Sequence, residues 1–165
     1  MVATIKKLGM IEPDVVMAYM LLKYEKMSHL KMQKILYYTQ AFHLAHFDQP
    51  LMNIKFEAWV HGPVSRKVYS SLKDKSILHS EIGYVLEPNE RHPKVIIDEI
   101  LTDDQVAILD DVLETFASWT GPQLEAQTHS ELPWINARGA KGPSEPCHSV
   151  ISNDEMKSFY KQYLD

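Results

Sequence analysis

From His29 to Phe47 the chain reads HLKMQKILYYTQAFHLAHF, a segment apolar on most of its circumference when wound as an α-helix. Leu30, Ile35, Leu36, Tyr38, Phe42 and Leu44 leave Lys31, Gln33, Lys34 and Gln40 as a thin polar strip. Ser28 supplies a hydroxyl to cap the first turn. A helix of this kind is unstable at a surface and has to be wrapped by other elements. The segment therefore predicts a mainly α fold: a single compact helical domain around a central buried helix. The chain's 165 residues are one domain's length, and its 45% hydrophobic content can enclose such a helix. Residues 1–12 read as an N-terminal extension and 13–165 as the domain.

The wrapping elements follow from caps and periodicity. Pro13 and Asp14 open a helix that runs to about Lys26. Phe56 to Val60 is a short apolar stretch, and Gly62-Pro63 punctuates it. Pro63 suits the first turn of a third helix to about Leu72, with Val64, Val68 and Leu72 along one face. Tyr84-Val85-Leu86 and Val95-Ile96-Ile97 are β-prone runs around a proline-containing loop, which predicts a small β-hairpin there. Thr102 to Trp119 is the clearest amphipathic helix, with Thr102 and Gln105 at capping-box spacing and an acidic face turned to water. Gly121-Pro122 starts a short helix to about Ser130. Pro133 to Pro146 reads as a long irregular stretch, and a last helix spans about Asn153 to Tyr163 behind a second capping box, Ser152 and Glu155.

Several function classes are disfavoured by composition. Lys and Arg total 17 against 22 Asp and Glu, a net charge of -5. Nucleic-acid binding needs the opposite balance, whereas an acidic surface suits a basic protein partner. The longest apolar run, Val15 to Leu22, is about half a membrane span, and Met1 to Gly9 lacks a signal peptide's apolar region. The one cysteine, Cys147, cannot form an internal disulfide, which fits a cytoplasmic location. It sits beside His148 in a Pro/Gly-rich loop and reads as a surface thiol. His43 and His46 share a helical face but lack further ligands, so they read as two partly exposed histidines and no metal is expected. Phosphate-binding glycine loops are absent, and no cofactor is expected.

Two stretches concentrate Trp, His, Pro and charge at a turn: Phe56-Glu57-Ala58-Trp59-Val60-His61-Gly62-Pro63-Val64, and His129-Ser130-Glu131-Leu132-Pro133-Trp134-Ile135-Asn136-Ala137-Arg138. With Leu30-Lys31-Met32-Gln33-Lys34-Ile35-Leu36-Tyr37-Tyr38-Thr39-Gln40 and Pro50-Leu51-Met52, they resemble the motifs of the SocA-like, or Panacea, domain family. Tyr69, a turn after Val64, completes the middle motif. The resemblance spans about residues 13–163.

It implies a mostly helical antitoxin that binds a cognate toxin directly and neutralises it. On that reading the partner-binding candidates are Trp134 and Arg138, with His129, Tyr69 and Arg66 around them, provided the third helix and the late motif meet in space. Trp, Tyr and Arg are the residue types that dominate interface energetics. A homo-oligomer stays open. Two alternatives stand beside this one. Glu57, His61, His129 and Arg138 could surround a pocket and perform acid–base catalysis on a toxin product or small substrate. An adaptor that delivers a client to a protease would use the same binding surface.

Overall fold

The computed structural model describes residues 6–72 and 74–164, so the first five residues of the extension lie outside it. At its centre is α2 (His29–Phe47), with fifteen of its nineteen residues buried. Ser28 Oγ accepts the Lys31 N–H at 3.0 Å and starts the helix. Asp48, in the left-handed region at φ 58°, ends it by returning its N–H to the Leu44 carbonyl. In chain order the surrounding elements are α1 (Pro13–Tyr24), β1 (Met27–Ser28), β2 (Phe56–Trp59), β3 (Gly62–Val64), α3 (Arg66–Ser71), β4 (Glu81–Ile82), α4 (Pro93–Ile100), α5 (Asp103–Phe116), α6 (Gly121–His129), α7 (Leu132–Arg138), β5 (Val150–Ile151) and α8 (Asn153–Tyr160). Helices α1, α5, α6 and α8 and strand β3 all pack on α2. The fold is mainly α, with one two-stranded sheet (β1-β4) and one three-stranded sheet in the order β3-β2-β5, all antiparallel.

The polar strip of α2 is buried except for Lys31, which is half-buried. His29, Gln33, Lys34, Gln40 and His43 are all 1% exposed or less. Each reaches a backbone group outside the helix. Gln40 Oε1 accepts the N–H groups of Leu51 and Met52, both at 3.0 Å, and its Nε2 donates to the Met52 carbonyl at 2.8 Å. Gln33 takes the Ser65 N–H at 2.9 Å. His29 Nδ1 lies 3.0 Å from the Lys75 carbonyl, and His43 Nδ1 lies 2.6 Å from the Gln49 carbonyl. In both rings Nε2 faces a glutamine amide, Gln33 or Gln105. The amide donates and the carbonyl accepts, so both imidazoles are the Nδ1–H tautomer. His43 is thus buried, not the partly exposed residue expected.

Three elements depart from expectation. Val95-Ile96-Ile97 lies in α4, and Tyr84–Leu86 forms no strand. Pro93 lacks the N–H a ladder needs and presets the first helical turn, while His92 Nδ1 caps it by accepting the Lys94 N–H. The hairpin is instead β2–β3, with Pro63 inside β3, and α3 starts two residues beyond that strand behind the Ser65 cap. Part of the stretch expected to be irregular is helical: Pro133 sits in the first turn of α7. The Thr102–Gln105 capping box is complete. At α8, Ser152 caps, but the Glu155 carboxylate accepts from Asn136 instead of reaching back.

Gln40→Ala removes the partner of two buried N–H groups and one carbonyl. The expected loss of unfolding free energy is about 3 kcal/mol, at roughly 1 kcal/mol or more for each orphaned group. Urea titration checks it, and a loss within about 0.5 kcal/mol contradicts the bracket.

Candidate partner-binding surface

The β2–β3 hairpin is the platform. Along β2, Phe56 and Ala58 are buried and Glu57 and Trp59 point outward, the alternation of a strand with one covered face. The turn at Val60-His61 closes on Gly62, whose φ of 100° disfavours any side chain. Space forbids one as well: a Cβ there would lie 2.5 Å from Lys34 Cε and 2.9 Å from Thr128 Oγ1. Lys34 reaches the hairpin from α2, fully buried, and its Nζ donates to the Pro63 carbonyl at 2.9 Å. Burial pushes its amine down to about 7, with Glu125 pulling the other way. His61 Nδ1, at the turn, lies 2.7 Å from Glu125 Oε1.

The late motif grips the same strand by its backbone. Trp134 Nε1–H donates to the Trp59 carbonyl at 2.8 Å. Arg138 Nη1 donates to the Ala58 carbonyl at 2.8 Å, and its Nη2 donates to the Gly142 and Glu145 carbonyls. The guanidinium lies 4.8 Å from the Trp134 ring centre, and the His129 ring stacks on Trp134 at 4.0 Å. Arg138 thereby fixes the loop that leads to Cys147 and His148.

The outer face carries rings and a guanidinium. Arg66 donates to both Glu57 oxygens, at 3.0 and 2.9 Å, and its head lies 5.2 Å from the Trp59 ring centre. The same contact holds the Glu57 carboxyl below its usual range. Tyr69 meets the Trp59 ring edge-on at 5.2 Å, and His148 stacks on Trp59 at 5.6 Å. Beside them a cleft of about 150 Å³ is lined by Trp59, Val60, His61, Ile77, Pro146, Cys147 and His148.

Arg66 and Tyr69 of α3 contact the ring of Trp59, and Trp134 of the late motif bonds the Trp59 carbonyl from the buried side. Arg66 and Tyr69 are exposed; His129 is half-buried. Trp134 and Arg138, expected as the centre of an exposed anchor, are only 6% and 5% exposed because their polar atoms are taken up by the backbone of β2 and the 142–145 loop. Two further outward residues belong to this surface, Trp59 and His148. The residue pattern FEAW, alternating in a short strand, was the available signal for Trp59. Cys147 is 2% exposed and so is not a surface thiol.

The four residues weighed as an acid–base site are engaged separately. Glu57 binds Arg66, His61 binds Glu125, His129 stacks on Trp134, and Arg138 binds carbonyls. Only His61 of the four lines the neighbouring cleft. Among the described residues no group of His, Cys, Asp and Glu could hold a metal ion, and no helix is long and apolar enough to cross a membrane.

A family model described as antitoxin SocA-like, Panacea domain, matches residues 32–135, a span that includes Lys34, the whole hairpin and Trp134. No curated protein and no solved structure matches the chain.

Lys34 makes stability depend on pH. Its amine falls from an ordinary 10.5 to about 7 on folding. Between those values the unfolded chain holds the extra proton, so stability rises with pH across the window and is lost as pH falls through about 7. Urea unfolding at intervals from pH 7 to 9.5 should show this rise, and Lys34→Met should flatten it. Parallel profiles for the two proteins contradict the assignment.

Proposed function

Because the chain belongs to the family of SocA-like antitoxins with a Panacea domain, we propose that it neutralises a cognate toxin in the cytoplasm by binding it directly. The observation that supports this most is the half-buried ring of Trp59 surrounded by the exposed Arg66, Tyr69 and His148, held from beneath by Lys34, Trp134 and Arg138. A binding surface whose side chains are already ordered loses less entropy on association. Neutralisation at low cellular concentration calls for nanomolar affinity, about -12 kcal/mol. Arg66, Tyr69 and the Trp59 edge touch the toxin in this reading. Trp134, Arg138 and His129 act by holding β2 and the 142–145 loop in place. The net charge of -5 favours a basic toxin.

Co-expression with the product of the neighbouring reading frame, scored for growth and followed by pull-down, tests the proposal. Growth should be restored with a stable complex. Arg66→Glu combined with Tyr69→Ala alters exposed side chains, so the fold should persist by circular dichroism while affinity falls at least about 30-fold. Restored growth without a complex, or a folded double variant that binds as tightly as the parent, overturns it.

A further inference from the structure

A second cleft shares no residue with the surface just described. It lies where α2, α5, α6 and the segment after α8 come together, and has a volume of about 240 Å³. Its walls are aromatic. Phe116 stacks on Tyr38 at 4.5 Å and meets Trp119 edge-on at 5.2 Å, while Phe42 and Tyr163 lie 6.3 Å apart. Glu131 also lines it and is only 4% exposed. One oxygen of this buried carboxylate is saturated: Tyr38 and Tyr160 donate to Oε1 at 2.7 and 2.8 Å. Burial, reinforced by Glu131, pushes both phenols well above their ordinary range, so they remain donors. The other oxygen, Oε2, accepts from Gln127 alone, at 3.2 Å. Gln127 also lines the cleft.

Among the described residues Glu131 has no ion-pair partner. Neither this cleft nor the groove continuing from it past Phe42, Phe116 and Tyr163 is lined by any Lys or Arg; the groove adds a second carboxylate, Asp111. A buried carboxylate with an open acceptor position, ringed by π faces, has the chemistry of a receptor for an organic cation. The volume is below the roughly 300–1,000 Å³ of cofactor and small-molecule sites, which suits a single side-chain head. The groove of about 340 Å³ gives an attached chain a way out.

We propose that this cleft receives an arginine side chain of a bound polypeptide, its guanidinium on Glu131 Oε2 and its planar face against Trp119. Arginine matches the site because its flat, weakly hydrated head both stacks on rings and donates to a carboxylate. The inference holds whether or not the Arg66 surface binds a toxin.

The test titrates the full chain with acetyl-Ala-Arg-Ala-amide, with the same peptide carrying neutral citrulline, and with n-butylguanidinium, following the amide signals of Thr115, Trp119 and Gln127 by NMR. The arginine peptide should shift these signals saturably and bind at least tenfold more tightly than the citrulline peptide. It should also bind more tightly than butylguanidinium. Glu131→Gln should remove the advantage over citrulline. Should that variant fail to fold, Trp119→Leu takes its place and should weaken the arginine peptide at least fivefold. Equal binding of arginine and citrulline, or an undiminished response in the folded variant, overturns the proposal. Butylguanidinium binding as tightly as the peptide overturns the polypeptide ligand in favour of a free organic cation.

Discussion

Buried amides, imidazoles and an amine on a central helix have no water to bond to, and an unpaired polar group there costs about 1–3 kcal/mol. In α2 each of these groups is bonded to a backbone atom of the chain between α2 and α4. Gln40 holds the 51–52 loop, His43 holds Gln49, Gln33 holds the start of α3, Lys34 holds Pro63 and His29 holds Lys75. The helix is therefore both the hydrophobic centre and the anchor of the loops. Its apolar side chains recruit α5, α6 and α8, and its polar ones set where the chain between α2 and α4 can lie.

The same constraint gives three separated motifs a common purpose. The first supplies Gln33 and Lys34 from α2. The second is the β2–β3 hairpin, which Lys34 holds at Pro63 while Gln33 holds Ser65 just beyond it. The third supplies Trp134 and Arg138, which bond the carbonyls of Trp59 and Ala58. Strand β2 is thus held through its backbone on the inside, which leaves the Trp59 ring to carry Arg66, Tyr69 and His148 on the outside. A short strand with only three- and two-residue partners would not keep such a surface in register unaided.

Where local chemistry is strong, the residues announced the structure. Ser28 and the apolar circumference of His29–Phe47 marked α2 with its true bounds, and Thr102 with Gln105 marked α5. Proline misled twice in opposite ways. Pro63 looked like a helix start but lies in a strand, because Ser65 is the better cap. Pro133 looked like a breaker but opens α7. Val95-Ile96-Ile97 carried β propensity that the His92-Pro93 start overrode, as tertiary and capping context commonly does. The site was legible in its members and not in their depth. A Trp–Arg pair four residues apart reads as an anchor, and only three dimensions reveal that strand carbonyls take up its donors. The burial of Gln33, Lys34 and His43 was hidden for the same reason: their partners are backbone groups, which carry no residue-type signal.

Side chains of α2 thus hold the loops as firmly as hydrogen bonds hold a helix. Amide hydrogen exchange of the free protein tests it most directly at Leu51, Met52 and Ser65, whose N–H groups bond to Gln40 and Gln33. The account predicts protection at these three amides comparable to the middle of α2, lost together with it on global unfolding. Exchange at the rate of an open loop while α2 stays protected would contradict it.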